Sequence, residues 1–158
     1  MAFYHTKPIR FKCTQCSHCC YGGKYAYVRA NEHEINKIID FLGVDSETFK
    51  ADCLSKLVDH GYGIRMKLSP LAKALNKKGH CILLNKQGHC SVYPVRPMQC
   101  RTYPFWPEIL KDEEKWNAEI NRCEGIHQGN EVPIEHIELQ KQLSIDAEIL
   151  INNKREIN

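Results

Sequence analysis

The chain has 158 residues, with 22 Lys and Arg against 19 Asp and Glu and a formal charge of +3. That length suits one domain with its own hydrophobic core, unlike the sub-80-residue secreted modules that need disulfide staples. The charged runs are short and mixed, as at Lys77-Lys78 and Lys111 to Lys115, which argues against a nucleic-acid surface, and no stretch nears the roughly 18 apolar residues of a membrane span.

The opening MAFYHTKPIRFKC has no apolar segment of the kind a secretory signal needs, so a reducing, cytoplasmic setting is expected. Residues 13–23 form a loop closed by Gly22-Gly23, with Cys13, Cys16, Cys19 and Cys20 inside eight residues. Tyr25 to Arg29 alternates as a short strand. Asn31 makes an N-cap, and Glu34 completes a capping-box pattern. Ile35, Ile38, Ile39 and Leu42 supply the apolar face of that helix and Gly43 stops it. A second helix starts at Ser46, with Phe49, Cys53 and Leu57 repeating every four residues. Cys53 belongs to that stripe and is expected to be a small buried hydrophobe.

Tyr62 to Leu68 reads as a strand and Cys81 to Leu84 as another, around a helical turn or loop in SPLAKALNKKG. Gly88 marks a turn, after which Ser91 to Tyr93 is expected to pair back as a hairpin. Pro94, Pro97, Pro104 and Pro107 exclude long regular structure and leave at most a helical turn around Met98 to Arg101. Beyond Cys123, residues 133–151 read as a helix with Pro133 in its first turn and Ile134, Ile137, Leu143 and Leu150 available for packing. The expected fold class is α+β. Residues 1–158 form a single metal-binding domain, with cysteine-rich loops and short strands braced by helices and a cysteine core at about 11–126.

Cysteine makes up 9 of the 158 residues, about 6%, below the level of a short disulfide scaffold. In a reducing compartment such cysteines read as metal ligands or redox groups. Setting Cys53 aside leaves eight, enough for two four-ligand sites of the kind that hold structural zinc or an iron–sulfur cluster. On a helix Cys13, Cys16 and Cys20 would share a face, whereas in knuckle-like loops Cys13, Cys16 and Cys19 would converge. Adjacent side chains diverge, so Cys19 and Cys20 serve different sites, or one is a ligand and the other a neighbouring or reactive thiol. Cys81, Cys90 and Cys100 each lie beside a turn or proline able to fix a thiolate. Arg96 and Arg101 flank Cys100, where they would favour its anionic form, and Tyr93, Tyr103, Phe105 and Trp106 would shield a site from solvent. His18, His80 and His89 each adjoin a cysteine and are expected at the periphery. His5, His33, His60, His127 and His136 follow no ligand pattern. No phosphate-binding loop, dinucleotide fingerprint, nucleophile elbow or metalloprotease motif is present.

FKCTQCSHCC, HCILL, HCSVYPVRPMQCRTYPFW and RCEGI together resemble the CxxCxxCC cysteine-cluster family of YkgJ type, described as zinc- or iron-chelating and also as Fe–S-cluster-containing. The resemblance runs from about residue 11 to 126. It implies that Cys13, Cys16, Cys19, Cys20, Cys81, Cys90, Cys100 and Cys123 are the metal-site and cofactor-binding cysteines. Flagellin lysine N-methylases carry a related pattern, which implies a cluster used in protein modification. The leading expectation is a 4Fe-4S iron–sulfur cluster serving electron transfer or an accessory role. The alternative is a structural zinc module that presents a surface to a partner protein. A thiol redox enzyme built on Cys19-Cys20 and a disulfide-bonded secreted protein rank below these.

Overall fold

Local hydrogen bonding sets the ends of the helix between Asn31 and Gly43, while strand pairing and long-range bonds shape the segments around it. The computed structural model describes residues 1–23, 26–57, 61–75 and 77–152. A 3-10 turn at Phe3–His5 leads to strand β1 (Arg10–Phe11), the cysteine loop, and β2 (Tyr21–Gly22). Strand β3 (Tyr27–Ala30) then runs into helix α1 (Glu32–Leu42); Tyr25, expected to open β3, lies outside the described residues. Asn31 caps α1 as its side chain accepts from the Glu34 N–H at 2.9 Å, while the Asn31 N–H donates to Glu34 Oε2 at 3.0 Å. At the other end Gly43 takes a left-handed φ of 63° and its N–H bonds back to Ile39 and Asp40. Between the caps Ile35, Ile38 and Ile39 are buried, each contributing roughly 1.5–3 kcal/mol.

Helix α2 (Ser46–Cys53) is capped by Asp45 and buries Phe49. The expected stripe stops at Cys53 and does not reach Leu57. Leu54 opens strand β4 (Leu54–Lys56), which pairs with β5 (Tyr62–Lys67) through Leu54 opposite Ile64, and Leu57 N–H donates to Gly61 O. The ladder outcompetes another helical turn because it buries Leu54 against Ile64. Cys53 itself is half-buried and packs against the cluster around Ile35.

After the short helix α3 (Pro70–Ala74) comes β6 (Gly79–Cys81). The expected strand at 81–84 is therefore displaced: Leu84 N–H bonds back to Cys81 O, the chain turns at Ile82-Leu83, and Leu83 enters the core. The return pairing also shifts. Leu84 bridges Cys90, and Ser91 donates to Leu83 O from both its N–H and its hydroxyl, whereas Tyr93–Val95 winds into a 3-10 turn around Pro94. Antiparallel strands in the order β2-β6-β5-β3, with β4 also on β5, make one sheet.

Helix α4 (Met98–Thr102) is the expected helical turn, and α5 (Glu113–Ala118) is an addition to the sequence reading. Strand β7 (Ile126–Glu131) pairs with β1, and α6 (Ile134–Asn152) closes the described chain. The buried face of α6 carries Ile137, Ser144, Ala147 and Ile151; Ile134 and Leu150, expected on that face, are 37% and 61% exposed. The mixed α+β class stands. Two apolar clusters organise it. One gathers Tyr4, Ile9, Tyr103, Phe105, Trp116, Cys123, Ile126 and Ile137, and the other Ile35, Ile38, Phe49, Ile64, Cys81, Leu83 and Val92. Among the described residues no helix is long and apolar enough to cross a membrane.

Candidate metal centre

The cysteine loop follows neither a helix nor a strand. Gln15 and Ser17 take left-handed φ angles of 57° and 64°, which turn the chain on either side of Cys16, and His18–Cys20 closes in a 3-10 turn. Such angles cost a non-glycine residue roughly 1–2 kcal/mol each, so distant contacts must hold them. Ser17 donates its hydroxyl to Gly88 O at 2.6 Å, and Thr14 donates to Glu124 Oε1 at 2.6 Å.

Strand pairing brings the remaining thiols to this loop. Tyr21 lies opposite His80 in the β2–β6 ladder, which sets Cys20 against Cys81 one step further along. The Leu84–Cys90 bridge folds Cys90 back beside the Cys81 turn. Cys123 comes from the other side. Lys12 N–H donates to Gly125 O, and a Cβ on Gly125 would stand 2.3 Å from Lys12 O, so only glycine allows this approach of residues 123–125 to Cys13. Cys100 rides on α4, whose first N–H, that of Met98, donates to Glu34 Oε1 at 2.7 Å. One carboxylate thus caps both α1 and α4.

All eight of Cys13, Cys16, Cys19, Cys20, Cys81, Cys90, Cys100 and Cys123 line one cavity of about 1510 Å³. Cys53 is not among its lining residues. Among the described residues no three His, Cys, Asp or Glu side chains stand as a preformed metal-ion group.

Burial sets the thiol chemistry. It pushes Cys81 up to about 11 and raises Cys90, Cys100 and Cys123, with neighbouring cysteines adding to the rise at each. Backbone N–H groups oppose this: those of Leu83, Val92 and Gly125 bond to Cys81, Cys90 and Cys123, each two residues ahead of its donor. The recurrence matters because an N–H aimed at sulfur stabilises the thiolate, the form that binds metal. The Cys20 thiol donates to the Cys19 sulfur. That bond is the main reason Cys19 falls to about 7 and Cys20 rises, and Arg122 and Arg96 help to lower Cys19.

Arg96 acts as its position beside Cys100 implied. Its guanidinium lies 3.6 Å from the Tyr93 ring centroid, its Nε–H donates to Tyr93 O, and its charge lowers Cys19, Cys90 and Cys100. Arg101 lines the same cavity and is exposed. Arg122 was missed; adjacency to Cys123 was the one available signal. Tyr93, Tyr103, Phe105 and Trp106 all line the cavity, with Tyr103 held by a hydrogen bond to Glu119 Oε1 at 2.5 Å and Trp106 Nε1–H donating to Gln99 O and Thr102 Oγ1. His18, His89 and the unassigned His136 line it too, whereas His80 turns its Nδ1 to Cys81 O at 2.9 Å. His60 lies outside the described residues.

The chain belongs to the CxxCxxCC family, whose model, described as "Putative zinc- or iron-chelating domain", matches residues 12–124. The matched span includes all eight cavity cysteines. No solved structure matches the chain. Family membership supports metal binding through the cysteine cluster, with zinc and iron both consistent with it.

Proposed function

We propose that this member of the CxxCxxCC family is a cytoplasmic iron–sulfur protein that holds at least one 4Fe-4S cluster and serves electron transfer, or acts as an accessory to a modification reaction, through a partner protein. The observation that carries this reading is the convergence of eight cysteines on one cavity of about 1510 Å³. The donor set fits: soft thiolates in groups of four hold iron–sulfur clusters as well as zinc.

A bound cluster supplies one-electron redox chemistry, with a potential set by hydrogen bonds to sulfur, nearby charge and solvent access. This chain offers all three controls. The N–H groups of Leu83, Val92 and Gly125 bond to sulfur, Arg96 and Arg122 place positive charge beside the thiols, and Tyr103, Phe105 and Trp106 present aromatic rings to the cavity.

Anaerobic purification followed by iron, zinc and sulfide analysis and an absorption spectrum tests the reading. Brown protein absorbing broadly near roughly 400 nm, with acid-labile sulfide, is the expected result. Colourless protein with zinc and no sulfide replaces the cluster with the structural zinc module. Protein that takes up neither metal overturns both.

A further inference from the structure

We infer that the eight thiols form two adjoining four-cysteine sites, Cys13, Cys16, Cys19 and Cys123 in one and Cys20, Cys81, Cys90 and Cys100 in the other, with the boundary between the neighbours Cys19 and Cys20. The inference rests on the metal-binding reading above and adds how the ligands divide.

Hydrogen bonds draw the line, with Ser17 Oγ to Gly88 O a contact that crosses it. Lys12 N–H to Gly125 O and Thr14 Oγ1 to Glu124 Oε1 clamp the start of the loop to the segment that bears Cys123. The β2–β6 ladder and the Leu84–Cys90 bridge gather Cys20, Cys81 and Cys90 at the sheet. The two apolar clusters divide in the same way, since Cys123 is buried in one while Cys81 is buried in the other with Cys20 and Cys90 packed against it. The sulfurs that bear on Cys123 are Cys16, Cys19 and Cys13, and those that bear on Cys100 are Cys81, Cys19 and Cys90. Cys19 is in reach of both groups, bears also on Cys81 and Cys90, and accepts the Cys20 thiol. It goes with Cys123 because Cys20 is the member of the pair that packs at the sheet, and a site built on Cys13, Cys16 and Cys123 needs a fourth sulfur.

The charge of the cavity suits anionic sites. Among the described lining residues Lys12, Lys78, Arg96, Arg101 and Arg122 face Glu131 alone, and Arg122 and Arg96 bear directly on Cys19. A tetrathiolate site around a divalent ion or an oxidised 4Fe-4S core carries about two negative charges, which such cations favour.

The test uses the full chain, purified anaerobically with its own metal. Cys123→Ala should halve the metal content and leave Cys13, Cys16 and Cys19 open to iodoacetamide while Cys20, Cys81, Cys90 and Cys100 stay protected; Cys100→Ala should do the reverse for its own set. The Cys13→Ala/Cys123→Ala pair should lose no more metal than Cys123→Ala, and Cys100→Ala/Cys123→Ala should lose all of it. Where a variant does not fold, wild type stripped to half its metal and alkylated gives the answer by intact-protein mass spectrometry. Apart from Cys53, molecules with four labels should carry them all in one set. Cys19 and Cys20 labelled together in those molecules, or the two double variants losing equal metal, would overturn the division while leaving metal binding intact. Wild type without metal would overturn the reading beneath it.

Discussion

Helix α1 and the cysteine loop at residues 13–20 are near neighbours in the chain, yet they are held by opposite means. The bonds that cap α1 are local: Asn31 with Glu34, and Gly43 with Ile39 and Asp40. The loop is held from far away, by Gly88, 71 residues from Ser17, and by Glu124, 110 residues from Thr14. It also bears two left-handed non-glycine residues, whereas α1 reserves its positive φ for Gly43. The difference teaches that α1 is specified by its own sequence, while the loop takes its form from distant parts of the fold.

The largest expected effect comes from breaking the comparison at the loop. Chelating the metal should melt residues 11–23 and 81–126, and Cys16→Ser the part of them around Cys13, Cys16, Cys19 and Cys123, while α1 and β5 keep their amide protection, since ligand binding is coupled to folding there on the order of 10 kcal/mol in small zinc domains. Hydrogen exchange of holo and stripped protein checks this; equal loss of protection in α1 would erase the distinction. Ile38→Ala should do the converse, lowering stability by about 2–5 kcal/mol with the metal-to-protein ratio unchanged. Denaturant melts beside metal analysis read both quantities, and metal loss in the folded variant would count against separate control.

Glu34→Gln probes a group that joins α1 to α4, the helix that carries Cys100. Its carboxylate accepts from Asn31 and Met98 N–H groups, and bonds to a charged acceptor are worth about 1.5–3 kcal/mol each, so the variant should lose about 1–2 kcal/mol and also bind metal more weakly through the shift of α4 and Cys100. Stability loss without any change in metal affinity would show α4 to be held by other contacts. Arg96→Ala should lower metal affinity or shift the midpoint potential, whereas Arg101→Ala should stay within about 0.5 kcal/mol in stability and leave the metal alone. Matching potentials for wild type and Arg96→Ala would reduce Arg96 to its contact with Tyr93.

The smallest effect lies at the clasp between the N-terminus and α6. The Tyr4 hydroxyl, donating at 2.6 Å, is the main reason the Glu138 carboxyl is held below its ordinary range, with His5 and Lys141 acting the same way. A depressed carboxyl contributes stability above its unfolded value and loses it as pH falls through the folded one. Glu138→Gln should therefore cost no more than about 1 kcal/mol at neutral pH, given the exposure of Glu138, and the gap from wild type should close in acid. A gap that widened in acid would reverse the assignment.

By itself the sequence determined what could be read from short spacing and residue chemistry. Asn31, Glu34 and Gly43 bounded α1, Met98 to Arg101 announced a helical turn between prolines, and eight thiols outside an apolar stripe declared a metal protein. Each of those signals acts within a few residues of its source, where the backbone geometry of a helix or turn is already known. The tertiary structure decided what depends on register and on which segments meet. It stopped the α2 stripe at Cys53 by offering Leu54 a partner strand, turned α6 so that Ser144 and Ala147 rather than Ile134 and Leu150 face inward, and brought Arg122 to Cys19. Above all it chose the companions of each cysteine. Cys20 meets Cys81 and Cys13 meets Cys123 because antiparallel ladders and the bare Cα of Gly125 bring those backbones together, and no local pattern encodes a pairing made across sixty to a hundred residues.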